Sequence, residues 1–138
     1  MVTVYLTRVE HFSAAHRLHS NALTDEQNAA LYDKCNREGG HGHNYRLEVT
    51  VAGTPDPQTG MLLNLTDLRD CILAHVIQRI DHYNIDRDIG YFRDVVSTTE
   101  NVAIWIWKQL VEVIPRPARL AEIRLHETEK NIVTYRGE

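Results

Sequence analysis

The sequence predicts an α+β fold, in which a four-stranded antiparallel sheet carries two helices on one face. Two segments of alternating polarity open the chain, two segments of helical period follow, and two further alternating segments close it. Strands that follow each other directly pair as antiparallel hairpins, and helices placed between the hairpins cover one face of the sheet. The 138 residues therefore indicate a single domain, 1–138, with the element order β-β-α-α-β-β.

The strands are predicted from side chains that alternate between apolar and polar. Residues 2–18 form the first such segment, residues 41–52 the second, and residues 121–126 and 132–135 the last two. Residues 61–63 are predicted as a short strand or a bulge. Along the second strand, alternation places one set of apolar side chains on the face that His41 and His43 share: Tyr45, Leu47, Val49 and Val51.

The helices are predicted from apolar residues that recur every three or four positions. A short helix is predicted from Thr24. The first long helix has an apolar stripe made of Leu65, Leu68, Ile72, Val76 and Ile80. The second long helix opens at Ser97 with the Ser-x-x-Glu form of a capping box and ends before Pro115. Its stripe consists of Ala103, Ile106, Trp107, Leu110 and Ile114.

Composition and charge exclude several classes of protein. The formal net charge is -4, which gives no electrostatic support for a nucleic-acid partner. No apolar run approaches the roughly 18 residues of a membrane span, and the first residues lack the basic and apolar regions of a signal peptide. Two cysteines in unrelated contexts do not suggest a disulfide framework, so a reducing cytoplasm is the expected location.

A histidine pair at the start of the second strand predicts a metal site. His41 and His43 stand two residues apart, so their side chains project from one face of a strand toward one point. A catalytic zinc ion usually takes three protein ligands. A third histidine on or just after the first strand would complete the set, and the pattern leaves His11, His16 and His19 open. The plain alternative is a pair of solvated histidines after a turn.

Cys35 lies six residues before His41, across a Gly-Gly turn. Its flanking Lys34 and Arg37 and a nearby metal would lower the pKa of its thiol, which favours a reactive cysteine over an inert buried one. The His-x-His pair also resembles the cupin pattern, in which a glutamate follows. Strand alternation, however, places Glu48 on the face opposite the two histidines, which argues against a cupin.

Three further groups are candidates for chemistry, each with a simpler structural explanation. Asp81 and His82 follow the first long helix and could form an acid–base pair, or His82 could merely interact with the helix dipole. Glu127 follows an apolar strand and could bind a ligand or be a solvated turn residue. Thr98, Thr99 and Glu100 are expected to cap the second helix whatever else they do.

These residues together resemble the 6-pyruvoyl-tetrahydropterin synthase family of the tunnelling-fold (T-fold) superfamily. The resemblance covers nearly the whole chain and consists of five motifs in the family's order. They are Phe12–His16, Cys35–Tyr45, Asp81–His82, Val96–Asn101 and Glu127–Thr128.

The resemblance implies roles for the candidate residues. His16, His41 and His43 would be the zinc ligands and Cys35 the general base. Asp81 and His82 would be its partners, contributed by a neighbouring subunit. Glu127 would anchor the pterin, helped by Thr98, Thr99 and Glu100. Three subunits would close a barrel, and two trimers would stack into a homohexamer with active sites at the interfaces.

The implied reaction converts 7,8-dihydroneopterin triphosphate to 6-pyruvoyl-tetrahydropterin with loss of triphosphate. Two alternatives remain at this point. One is 6-carboxy-tetrahydropterin synthase, whose cysteine usually stands three residues before the His-x-His pair, whereas five residues separate Cys35 from His41. The other is a zinc-stabilised pterin-binding protein without turnover.

Overall fold

The computed structural model describes residues 2–138 and contains one four-stranded antiparallel sheet with the strand order β1-β2-β3-β4. The strands comprise β1 (Val4–His16), β2 (His41–Gly53), β3 (Arg119–His126) and β4 (Ile132–Tyr135). Each strand pairs with the next along the chain, as expected for two hairpins joined through a central β2–β3 pair. The predicted α+β class and antiparallel sheet are confirmed.

Five α-helical segments accompany the sheet: α1 (Asp25–Tyr32), α2 (Leu65–Ile72), α3 (Gln78–Ile80), α4 (Ile85–Asp88) and α5 (Thr99–Leu110). A π-helical turn, Leu73–Ile77, joins α2 and α3 into the first predicted long helix, and α5 is the second. The short α4 and the 3₁₀ turns Asp33–Asn36 and Gly90–Arg93 were not predicted. Within residues 2–138, no helix combines the length and apolar character needed to cross a membrane.

The helices cover one face of the sheet, and the core lies between. Alternate side chains of β2 and β3 point into it, including Leu47, Ile123 and Leu125, which are fully buried. From the helices come Leu68, Ile72, Ile80, Trp105 and Ile106. The opposite face is polar and carries side-chain bonds between strands, such as Thr7 Oγ1 to Thr50 Oγ1 at 2.7 Å. The buried side chains thus form a single cluster in the described part of the chain, and we propose that residues 1–138 are one domain.

The polar face of the sheet carries Glu48, the residue on which the resemblance to a cupin depended. The Glu48 carboxylate pairs with the His126 imidazole across β2 and β3. Glu48 therefore lies on the face away from His41 and His43, as strand alternation predicts.

Two strand predictions were wrong in extent. The first strand was expected to span residues 2–18, but β1 ends at His16. Beyond it the backbone bonds elsewhere: Arg17 N–H donates to the Asp86 carboxylate at 2.6 Å, and Leu18 N–H donates to the Cys35 carbonyl at 2.9 Å. Residues 61–63 form a bend rather than a strand, with Leu62 and Leu63 buried in the core.

The helix boundaries and stripes also differ in detail. Thr98, and not Ser97, caps α5, because its hydroxyl accepts the N–H of Asn101 at 3.3 Å. The helix ends at Leu110, four residues before the last predicted stripe residue, Ile114. Trp105 is fully buried while the predicted Trp107 is only partly covered, since α5 packs against β3 and β4 on one side and Phe92 on another. In the first long helix, Leu65 of the predicted stripe is exposed.

Truncating a core side chain of β2 should destabilise the protein far more than the same change on the surface. Leu47 is fully buried and Leu65 is 55% exposed. We expect Leu47→Ala to lower the free energy of unfolding by about 2–5 kcal/mol, and Leu65→Ala to change it by less than about 0.5 kcal/mol. Thermal unfolding at fixed protein concentration measures both, and equal melting temperatures for the two variants would contradict this core assignment.

Candidate metal centre

Three histidines converge at one end of the sheet, where β1 ends and β2 begins. One ring nitrogen each from His16, His41 and His43 lies within 4.8 Å of the others. The antiparallel register causes this, because His16 pairs with His41 and Ala14 pairs with His43. The Nε2 atoms of His16 and His41 are 3.1 Å apart. Two imidazole nitrogens bound to one tetrahedral zinc ion at 2.0–2.1 Å would be separated by roughly 3.3 Å, so the observed spacing suits a shared metal ion.

Ser97 orients the first of these rings. The Nδ1–H of His16 donates to the Ser97 carbonyl at 2.7 Å, and both residues are almost completely buried. A proton on Nδ1 leaves a lone pair on Nε2, the atom that faces His41. The backbone just before α5 therefore selects the imidazole tautomer that can bind a metal ion. The sequence pattern assigned Ser97 to a capping box and missed this role. Every residue type has a backbone carbonyl, so the sequence does not indicate which carbonyl accepts from a histidine.

His43 supplies an independent test of whether a metal fits. Its Nε2 atom is buried and has no hydrogen-bond partner among residues 2–138. Leaving a buried polar atom unpaired is unfavourable by about 1–3 kcal/mol. A metal ion bound by the three histidines would satisfy the His43 nitrogen, so the donor set fits such an ion.

Burial also favours the neutral form of two of these imidazoles, those of His16 and His43. Burial is the main cause that lowers the pKa of His16, and the nearby His41 and His43 lower this pKa further. The hydrogen bond to Ser97 and the Glu127 carboxylate raise it, but only in part. The pKa of His43 is lowered mainly by burial, against an opposing effect of Glu127. Neutral imidazole is the form that binds metal ions, so the site has metal-binding character near neutral pH.

Gly40 permits the close approach of the loop that precedes β2. Its φ is +69°, and a Cβ at this position would lie 2.8 Å from the His16 carbonyl oxygen. Any side chain here would meet the backbone of β1 while adopting an unfavourable φ. Glycine at position 40 thus lets the chain enter β2 with His41 directly opposite His16.

Glu127 lies beside the histidines. Its Oε2 is 3.8 Å from His43 Nε2 and 4.0 Å from His16 Nε2. The Thr99 hydroxyl donates to the same Oε2 at 2.6 Å, and Thr99 is buried. The first turn of α5 therefore holds the carboxylate that follows β3 next to the centre.

The tyrosine beneath the histidines was also missed as a site residue. Strand alternation placed Tyr45 on the face shared by His41 and His43, and the structure shows it fully buried in the core. Its hydroxyl has no hydrogen-bond partner among residues 2–138. Burial, with smaller contributions from Glu127 and Asp86, raises the pKa of this hydroxyl well above its usual range, so it remains protonated. A buried aromatic residue adjoining a His-x-His pair was the only signal available in the sequence.

Cys35 lies in the 3₁₀ turn between α1 and β2, partly buried and not in a disulfide. Its carbonyl accepts the N–H of Leu18 at 2.9 Å, which ties the turn to the segment just after His16. Across residues 2–138 the thiol makes no hydrogen bond to Asp81 or His82. The structure therefore brings the Cys35 turn to the end of β1 but does not join it to the predicted acid–base pair.

Asp81 and His82 lie along the edge of β1 that faces away from β2. Asp81 Oδ1 accepts the backbone N–H of Ser13 at 2.9 Å and lies 2.9 Å from His82 Nδ1. The backbone N–H of His82 donates to the Ser13 carbonyl at 2.6 Å, and its side chain is 81% exposed. The pair is thus preformed and anchored, with its imidazole facing solvent rather than the three histidines of the same chain.

The remaining predicted site residues, Thr98 and Glu100, belong to the start of α5. Thr98 caps α5 as described, and Glu100 is exposed in the first helical turn. The fold thus gathers His16, His41, His43, Glu127 and Thr99 around one point. It leaves Glu100 and the Asp81–His82 pair apart from them.

Comparisons with known proteins agree with this geometry. Residues 5–138 match the sequence model of the family described as 6-pyruvoyl tetrahydropterin synthase. The 6-pyruvoyl tetrahydrobiopterin synthase of Poecilia reticulata is 57% identical over 97% of this chain and 90% of its own length. The Homo sapiens protein of the same name is 52% identical over 92% of this chain and 87% of its own.

A solved structure extends the agreement to three dimensions. The 6-pyruvoyl tetrahydropterin synthase of Caenorhabditis elegans superposes with a TM-score of 0.95 at 43% identity, covering 100% of this chain and 98% of that one. Such a match covers the whole of this chain, and so includes the two strands that carry the histidine cluster. The chain belongs to the 6-pyruvoyl tetrahydropterin synthase family.

Proposed function

We propose that the chain converts 7,8-dihydroneopterin triphosphate to 6-pyruvoyl-tetrahydropterin and triphosphate, as a zinc-dependent lyase of tetrahydrobiopterin biosynthesis. The observation that carries the proposal is the cluster of three histidine side chains beside the Glu127 carboxylate. The two parts of the site match the two parts of this substrate. The metal-binding histidines suit the hydroxylated side chain, and the Glu127 carboxylate suits the N–H groups of the pterin ring.

The proposed ligands of the zinc ion are His16, His41 and His43. Three imidazoles are a donor set typical of catalytic zinc, which leaves a further coordination position open. Bound zinc would supply Lewis-acid polarisation of the substrate's side-chain hydroxyl oxygens, so that the adjacent C–H groups become more acidic. Ser97 contributes by holding the His16 ring in its metal-binding tautomer.

Cys35 is the proposed general base that removes a proton from the substrate side chain, with Asp81 and His82 delivering or returning protons. The Asp81 carboxylate is within hydrogen-bonding distance of His82 Nδ1, an arrangement that orients the imidazole. Because His82 is exposed and not bonded to Cys35 of its own chain, we propose that the pair serves the Cys35 of a neighbouring subunit. The protein would then act as a homohexamer with active sites at subunit interfaces.

Glu127 is the proposed anchor for the pterin ring. A carboxylate accepts two parallel N–H bonds, which matches the 2-amino and N3–H edge of a pterin. Each carboxylate oxygen has two lone pairs, so the Thr99 bond leaves Oε2 able to accept another donor. Thr99 then acts by positioning Glu127. Thr98 supports the helix turn that carries Thr99, and Glu100 is proposed to contribute at the rim of the pocket.

Two further parts of the proposal rest on simpler observations. Cys35 and Cys71 are free thiols, which supports a location in the reducing cytoplasm. The five residues between Cys35 and His41 support a pyruvoyl rather than a carboxy product, as the family resemblance implies.

Metal content should depend on the clustered histidines and not on others. We expect the native protein and His11→Ala, whose side chain is exposed, to bind about one zinc ion per chain with three-histidine coordination. His43→Ala should lose most of it. Elemental analysis of dialysed samples measures this directly. A chelator should abolish activity while the far-ultraviolet circular dichroism largely persists, and unfolding on chelation would instead indicate a structural metal.

Removing the Cys35 thiol should stop turnover. Loss of a general base typically lowers a rate by a factor of about 10²–10⁴, so Cys35→Ala should release triphosphate at least about a hundredfold more slowly. Cys71→Ala, a matched change on α2, should leave turnover near the native rate.

Mass spectrometry of the product tests the reaction itself in the same samples. The native protein should form the 6-pyruvoyl compound, whereas a 6-carboxy product would overturn the assignment. Unchanged triphosphate release by Cys35→Ala would show that Cys35 is not the general base.

Mixed subunits should recover activity if the site lies between chains. After subunit exchange, an equal mixture of inactive Cys35→Ala and His82→Ala should regain about a quarter of native activity, because each residue is intact in half of the subunits. A mixture of Asp81→Asn and His82→Ala is the control and should regain little, since both changes affect the same side of the interface. Absence of rescue despite proven exchange would place the whole site within one chain.

A further inference from the structure

A pocket of about 350 Å³ adjoins the histidine cluster and has no role in the site described so far. Its charged and titratable lining residues are Arg17, His19, Glu38, Asp86, Arg87 and Arg93. They come from the segment after β1, the loop before β2, and the stretch from α4 to the 3₁₀ turn after it. Three arginines that line one concavity from separate segments have the charge and donor geometry that anion-binding sites use.

The first of these arginines is held firmly. Arg17 Nε donates to the Asn36 carbonyl at 2.7 Å, and the Arg17 backbone N–H donates to the Asp86 carboxylate at 2.6 Å. These bonds leave both terminal guanidinium nitrogens without an intramolecular acceptor in the described chain. Arg17 is therefore a preorganised donor, whose side chain pays little further entropy when it binds a ligand.

The other two arginines have charges that the fold does not use. The side chains of Arg87 and Arg93 are exposed and make no ion pair within residues 2–138. Two other exposed arginines pair with carboxylates, Arg69 with Asp70 and Arg136 with Glu122, whereas Arg37, Arg46, Arg116 and Arg119 make no ion pair among the described residues. The guanidinium groups of Arg87 and Arg93 thus remain available to a negatively charged ligand.

His19 adds a further hydrogen-bond donor. The Asn36 side-chain amide donates to the Leu18 carbonyl at 2.7 Å and to His19 Nδ1 at 3.0 Å. Since the carbonyl can only accept, the amide orientation is determined, and His19 accepts at Nδ1. Its remaining proton is then on Nε2, which can donate to an anion.

Acidic groups do not cancel this positive character. Two carboxylates line the pocket, Glu38 and Asp86, against three arginines, so the carboxylates and guanidinium groups together carry a formal charge of +1. Asp86 is occupied by the backbone N–H of Arg17, and Glu38 is an exposed residue of a loop.

The pocket lies next to the metal centre along the chain and in space. Arg17 directly follows His16, and Gly40, which also lines the pocket, directly precedes His41. A Cβ on Gly40 would lie 2.8 Å from the His16 carbonyl oxygen, so the two pocket segments touch at the centre. A substrate whose hydroxyls lie at the histidines could therefore extend its next group into this pocket.

We infer that this pocket binds the triphosphate group of the substrate, with Arg17, Arg87 and Arg93 as its cationic contacts. The identity of the ligand rests on the proposed function. The class of ligand, an oligophosphate, rests on the charges of the pocket itself. Guanidinium groups match phosphate oxygens in bidentate geometry, which favours them for this task.

Inorganic triphosphate is the probe, because it contains the proposed group and needs no chemistry at the metal centre. We expect calorimetric titration of the native protein to show binding that weakens as salt is added. Arg87→Ala and Arg93→Ala should each weaken it roughly three- to tenfold, and the double variant should weaken it on the order of 30-fold. Both side chains are exposed, so folding should persist, which circular dichroism verifies.

Arg119→Ala is the matched control. It removes one exposed arginine at the other end of β2, where Arg119 pairs with Ala52. That position is roughly 35 Å along the strand from His41 at 3.3 Å per residue. The change in net charge is the same as in each pocket variant, so triphosphate affinity should stay within about twofold of native.

The outcomes separate the two proposals. Native-like triphosphate affinity in the double variant, or no binding by the native protein at millimolar triphosphate, would overturn the inference even if turnover is observed. Arginine-dependent triphosphate binding without any turnover would leave the pocket assignment standing and remove the proposed reaction. When both hold, the double variant should also raise KM for the pterin triphosphate by about the factor seen in titration.

Discussion

The pairing of β1 with β2 is the constraint on which the rest of the structure depends. All thirteen residues of β1 pair with β2 without a bulge, from Val4 opposite Gly53 to His16 opposite His41. Because side chains alternate between the faces, a slip of one residue would move His16 to the polar face and disperse the metal-binding nitrogens. The same slip would move the buried side chains of Phe12 and Ala14 out of the core, so the packing that stabilises the sheet also assembles the centre.

The centre is built with polar groups that the fold leaves poorly satisfied. His43 Nε2 and the Tyr45 hydroxyl are buried without partners among residues 2–138, whereas His16 is held by a single carbonyl. These arrangements reduce stability but preorganise neutral imidazoles for a metal ion. Metal binding would then satisfy the His43 nitrogen and stabilise the folded state by linkage, since the unfolded chain lacks the assembled ligand set.

Local patterns in the sequence predicted the elements well where the signal was periodic, and less well where it depended on contacts. Alternation identified all four strands, and its face assignment for Tyr45, Leu47 and Glu48 was correct. The predicted cap of α5 was one residue too early, because Ser97 and Thr98 are both favourable caps and only the fold assigns the Ser97 carbonyl to His16. The choice of Trp107 over Trp105 failed because α5 is covered from two sides, which a single stripe cannot represent.

The sequence by itself determined the fold class, the polarity of each strand face and the residue types available for a metal centre. These properties follow from local period and chemistry. Only the tertiary structure decided which histidine joins His41 and His43, that Thr99 holds Glu127, and that Arg17, Arg87 and Arg93 share a pocket. Each of these depends on strand register or on the packing of segments far apart in the chain, and neither is encoded in the spacing of residues along it.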